Sequence, residues 1–129
     1  TIEVFAQAKR IRNALVFYLG GAADGSRLVV GPEENRGDAV VPMIHTLRGA
    51  QEVLAVGTLF PSESGEPVLH MHAATGREGG AVVGCTRVGV HVWLVGEVVI
   101  LEMLGVHGVR KEDPSTGFQL LRLGEGAGG

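Results

Sequence analysis

Residues 67–104 read PVLHMHAATGREGGAVVGCTRVGVHVWLVGEVVILEML, and this stretch decides the fold. From Pro67 to Ala74 the residues alternate cleanly, the period-two signature of a strand. GREGG (76–80) reads as a turn. AVVGC (81–85) and the long run from Val90 to Leu104 read as further strands, with Gly96 marking a bulge in the latter. The longest apolar stretch, Val90–Val106, carries His91, Glu97 and Glu102, which excludes it as a membrane span.

Working upstream, QEVLAVGTLF (51–60) is another strand, ended by PSESGEP. AVVPMIHTL (39–47) is strand-like, and Pro42 confines it to an edge or a bulge. PEENRGD (32–38) is a loop, RLVVG (27–31) a strand, and NALVFYL (13–19) a strand that ends at Gly20-Gly21. IEVFAQAKR (2–10) suits a short helix, with Ile2, Phe5, Ala6 and the stem of Lys9 on one face and Thr1 as its cap. The helix opens at the start of the chain, so elements before it are expected to be missing. Downstream, GFQLLRL (117–123) is the last strand and GEGAGG (124–129) a flexible tail. One helix and seven or eight strands at spacings of about ten residues predict an α+β domain over residues 1–123, a largely antiparallel or mixed sheet with a helix against it. The expected core contains Phe5, Leu15, Phe17, Leu28, Val30, Val53, Leu54, Leu59, Val68, Val83, Trp93, Val98, Ile100 and Leu120.

Composition narrows the function. The 129 residues carry a net charge of -3, which argues against a sequence-independent nucleic-acid binder. The single cysteine, Cys85, rules out an intrachain disulfide and a secreted cysteine framework. The N-terminus has no apolar run of signal-peptide length, so a cytoplasmic protein is expected. Gly accounts for 21 residues and aromatics for 5%, a mix that implies many turns and closely packed backbones. The mean hydropathy of +0.24 is high for so small an interior, and burial between subunits is the natural outlet.

The sharpest chemical feature is His70-Met71-His72. Side chains at i and i+2 of a strand point to one face, roughly 7 Å apart. Two imidazoles so placed can ligate a divalent ion such as zinc if a further ligand comes from elsewhere; the alternative is hydrogen bonding within a sheet or an interface. His45, His91 and His107 lie in or beside apolar strands and read as structural, although any of them could supply the missing ligand. Glu97 and Glu102 interrupt an apolar run and need partners if buried, with Arg77 and Arg87 as candidates. That set reads either as an anion or substrate site or as an ion pair across a subunit interface. Cys85 reads as a buried, inert thiol; a catalytic thiolate would need a base, which His70 or His72 could provide. Gly20-Gly21 and Gly79-Gly80 read as turns, and neither has the context of a phosphate loop. No Ser-His-Asp arrangement and no zinc-finger spacing is present.

Several segments together resemble the PPC domain (plants and prokaryotes conserved), a domain of unknown function. They are Leu69-His70-Met71-His72-Ala73, the small-residue turn after it, Val83-Gly84 and Gly96-Glu97-Val98-Val99-Ile100. Phe5-Ala6, Leu15-Val16 and Leu19-Gly20 resemble that family's helix end and second strand, and Asp113 with Thr116-Gly117-Phe118 its final turn and strand. The resemblance implies a strongly curved mixed sheet with one main helix, assembled as a homotrimer. It also implies a first strand ahead of Thr1. Plant members carry AT-hooks that grip DNA, whereas this sequence has no Arg-Gly-Arg-Pro-like hook and resembles the stand-alone prokaryotic type. Some such members are thought to bind metal through histidines. The family pattern often places Gly-Gly-His after the His-x-His strand; here the stretch is Gly84-Cys85-Thr86, with Thr86 at the histidine position. The resulting expectation is a homotrimeric binding or regulatory module; His70 and His72 are the candidate metal ligands, on which the metal-dependent alternative rests. Arg77, Arg87, His91 and Glu97 are further site or trimer-interface candidates. A metal-dependent enzyme or small-molecule binder and a DNA-binding protein are the alternatives.

Overall fold

Thr1 caps the helix that follows it: its Oγ1 accepts the Val4 N–H at 3.3 Å. Helix α1 then runs Ile2–Lys9 and ends where Arg10 turns left-handed, φ 59°, with its N–H on the Ala6 and Gln7 carbonyls. The strands follow in the order β1 (Ala14–Ala22), β2 (Arg27–Pro32), β3 (Pro42–Thr46), β4 (Gln51–Pro61), β5 (Pro67–Arg77), β6 (Gly80–Cys85), β7 (Val92–Glu102), β8 (Gly108–Glu112) and β9 (Gln119–Leu123). A single 3-10 turn, Thr86–Val88, follows β6. The structure, a computed structural model, describes residues 1–34 and 40–124. Positions 35–38 of the expected loop, the first residue of the expected strand 39–47 and positions 125–129 of the expected tail lie outside the described residues.

The class is α+β: one helix and a mostly antiparallel sheet. Seven strands are ordered β3-β2-β6-β5-β4-β1-β7, and β8 pairs with β9 in a separate ribbon. The pairs β2–β3, β2–β6, β5–β6 and β8–β9 are all antiparallel. Pro42 opens β3, an outer strand of the sheet, where a missing N–H costs no ladder bond.

Contacts group the chain into two compact units. One comprises Thr1–Leu15, Thr58–Leu69 and the chain from Ile100 on. In it, Gln7 donates to Glu66 at 2.8 Å and Glu3 accepts the Leu69 N–H at 3.0 Å, which ties α1 to the neighbouring chain. Ala6, Leu59 and Phe60 are buried there. So is Arg110, 5% exposed, which donates to Thr58 Oγ1 at 2.7 Å and lies over the Phe60 ring, centroid 5.9 Å away. Burial lowers the pKa of this guanidinium from its ordinary value. The other unit comprises Val16–Gly57 and His70–Val99, and buries Val16, Leu28, Leu47 and Val53 among others.

Three expectations need correction. Gly20-Gly21 does not end β1 but lies inside it. A Cβ on Gly20 would collide with the Val95 carbonyl oxygen, and one on Gly21 would sit 2.7 Å from the Trp93 carbonyl oxygen. The glycines there serve close backbone approach, not a turn. Second, β8 was not expected, because the stretch around Arg110 lacks apolar alternation: the inward residue is the cation and the apolar signal is missing. Third, Phe5, Leu54, Val83, Trp93, Val98 and Leu120 are exposed, not core. Leu54, Val83, Trp93, Val98 and Leu120 lie on strands, which offer two faces of which only one need meet this chain's own interior, and Phe5 lies on the outward side of α1. Gly96 sits within β7 against the Tyr18 ring, and the positive φ in that strand belongs to Leu94 (56°). No helix among the described residues is long and apolar enough to cross a membrane.

Candidate metal-binding site

The hairpin of β5 and β6 builds the site. Its connection is Glu78-Gly79, both at positive φ (51° and 81°), as a two-residue primed turn requires. Such a turn sets the register, which then runs unbroken from Arg77↔Gly80 to His72↔Cys85. On β5 the residues Met71, Ala73 and Thr75 are buried, while His70 and His72 face the other way and are exposed. Period two therefore puts both imidazoles on one face. Their Nε2 atoms are 3.2 Å apart, close enough for one ring to donate its N–H to the other, and the ring planes cross at 82°.

Cys85 stands directly across from His72, and on its other side β2 places Val29. Cross-strand partners share a face. The donor atoms of His70, His72 and Cys85 all lie within 4.8 Å of one another. Gly84 lets β6 approach β2 at this point, because a Cβ there would meet the Val29 carbonyl oxygen at 2.5 Å. Thr86, the residue after Cys85, donates its hydroxyl to the Met71 carbonyl at 3.2 Å.

The sequence model of the Plants and Prokaryotes Conserved (PCC) domain matches residues 1–104. The chain belongs to this family. Among solved structures, the PCC chain is similar to a plant- and prokaryote-conserved protein of Pyrococcus horikoshii, with TM-score 0.77 and 24% identity over 94% of this chain and 80% of that one. It is similar to a metal-containing protein of Archaeoglobus fulgidus at TM-score 0.74 and 22% identity, covering 94% and 81% of the two chains. It is also similar to a candidate DNA-binding protein of Ralstonia eutropha at TM-score 0.68 and 20% identity, covering 96% and 81%. No curated protein matches it.

The other expected site residues of the PCC chain are not gathered at the histidine pair. Arg77 is five residues further along β5, roughly 16 Å at strand rise, and has the opposite parity. It donates to the Ala50 carbonyl at 2.9 Å, lies 3.5 Å from Glu78, and lines a cavity of about 380 Å³ with Glu52 and Trp93. Arg87 is exposed in the 3-10 turn just after Cys85. His91 is exposed, and its backbone N–H is held by Ser26 Oγ at 3.1 Å. Glu97 is exposed on β7 and takes part in none of the ion pairs among the described residues. The group that converges on His70 and His72 contains neither His45 nor His91 but Cys85, which was read as inert. Its signal was present in the sequence. With Glu78-Gly79 taken as a two-residue turn, counting pairs outward sets Cys85 opposite His72.

Proposed function

We propose that this PCC-domain chain works as a homotrimeric binding module that holds a divalent metal ion at His70 and His72. One observation carries the metal reading: the two Nε2 atoms lie 3.2 Å apart on one strand face. Tetrahedral zinc with Zn–N near 2.0–2.1 Å needs its nitrogens roughly 3.3 Å apart, so the donors fit. A zinc ion with an open position supplies a Lewis acid toward a small-molecule or anionic ligand. The chain's own part is to orient the donors, which the buried Met71 does by anchoring the strand between the two rings. Self-association draws support from β7, an apolar outer strand with nearly every residue exposed. The metal-containing Archaeoglobus relative supports the metal part of the reading.

Metal analysis of the purified protein and of a His70→Ala/His72→Ala variant tests the site, with metal expected only in the former. Equal content in both removes the pair as ligands. Sedimentation should report three chains at micromolar concentration; a monomer overturns the assembly. DNA binding is a second reading, favoured by the name of the Ralstonia relative and opposed by the net charge of -3. A binding series across salt concentrations separates the two, because phosphate contacts impose a steep salt slope and absence of binding at low salt ends that reading.

A further inference from the structure

We propose that Cys85 is the third metal-binding side chain, so that this chain grips its ion with two imidazole nitrogens and one thiolate and takes a thiophilic ion such as zinc. The inference rests on the metal reading above and sharpens it. The register places Cys85 beside His72, and the three donor atoms already lie within 4.8 Å of one another. Cys85 is a free thiol and 5% exposed, so its sulfur is held on a packed backbone and not on a loose loop. Gly84 keeps it there, since any side chain at that position would push β6 off the Val29 carbonyl. Thr86 does not compete, because its hydroxyl is directed at the Met71 carbonyl.

The donor set decides the class of ion. A thiolate with two imidazoles favours zinc and its softer neighbours over magnesium, calcium or manganese, which select oxygen. Three protein donors leave one tetrahedral position open, the arrangement of a site that binds an exchangeable ligand and not of a closed structural one. Both histidines are exposed, so that position is reached from outside the chain.

Cobalt(II), a spectroscopic stand-in for zinc, tests this on the whole chain. Wild-type protein should show tetrahedral d–d absorption together with a near-ultraviolet thiolate-to-cobalt charge-transfer band. Cys85→Ser should lose the charge-transfer band and bind zinc about 100-fold more weakly or worse, since loss of an outer partner alone costs up to about that much. Circular dichroism of the isosteric variant checks that it folds. Wild-type protein that binds cobalt without the charge-transfer band overturns the role of Cys85 and leaves the histidine pair standing. Unchanged zinc affinity in Cys85→Ser does the same. No cobalt binding by the wild type removes the metal reading itself, and this inference with it.

Discussion

Strands β4 and β7 are both eleven residues long and both rich in apolar side chains, yet they spend that apolarity differently. In β4 alternate positions are buried: Val53 and Ala55 face inward while Leu54 and Val56 face out, and Leu59 and Phe60 are buried further along. In β7 every residue but Ile100 is exposed, and Leu94 reaches 80%. The position in the sheet explains the contrast. β4 lies between β5 and β1, whereas β7 is an outer strand with one neighbour. The inward apolar face of β4 is accounted for within one chain, while Leu54 and Val56 on its other face stay exposed. The apolar surface of β7 is not, and a long apolar outer strand is a template for association.

The largest expected effect breaks β7. Val99→Glu with Leu101→Glu should lower the sedimenting mass threefold, from the proposed trimer to a monomer, because two carboxylates on one strand face cannot enter an apolar contact unpaired. An unchanged mass would show that β7 lies outside the assembly interface. A smaller effect breaks β4. Leu59 is fully buried, and Leu59→Ala should cost about 2–5 kcal/mol in urea unfolding. Leu94→Ala in the monomeric background should stay within about 0.5 kcal/mol. Equal costs would erase the distinction between the two strands.

The smallest expected effect comes from a control outside both strands. Asp113 accepts hydrogen bonds from Ser115 Oγ at 2.6 Å and Thr116 Oγ1 at 2.7 Å, in the turn between β8 and β9. The Ser115 bond first, then the Thr116 bond, hold its carboxyl below the ordinary carboxylate value. A depressed folded pKa means that the contribution is present above the unfolded value and fades as pH falls through the folded one. Asp113→Asn should therefore lower the melting midpoint slightly near neutrality, and the difference from wild type should vanish in strong acid. A difference that persists in acid would assign the effect to lost turn geometry and not to charge.

Period-two and helical patterning alone placed α1 and the main strands, and they put His70 and His72 on one face. Local chemistry was also legible: Thr1 as cap, Pro42 at an outer strand, and a turn at 76–80. These features depend on near neighbours in the chain, and near neighbours are what a sequence displays directly. Three others needed the assembled sheet. Gly20-Gly21 lies inside β1 because β7 backbone atoms come too close for any side chain. Arg110 is buried because of residues some fifty positions earlier, Thr58 and Phe60. Cys85 joins the histidines because β6 returns beside β5 in one register, and the sequence yields that register only once Glu78-Gly79 is known to be the whole turn. Alternation states which face a residue takes; it does not state which strand lies alongside, and that choice is made by contacts far apart in sequence.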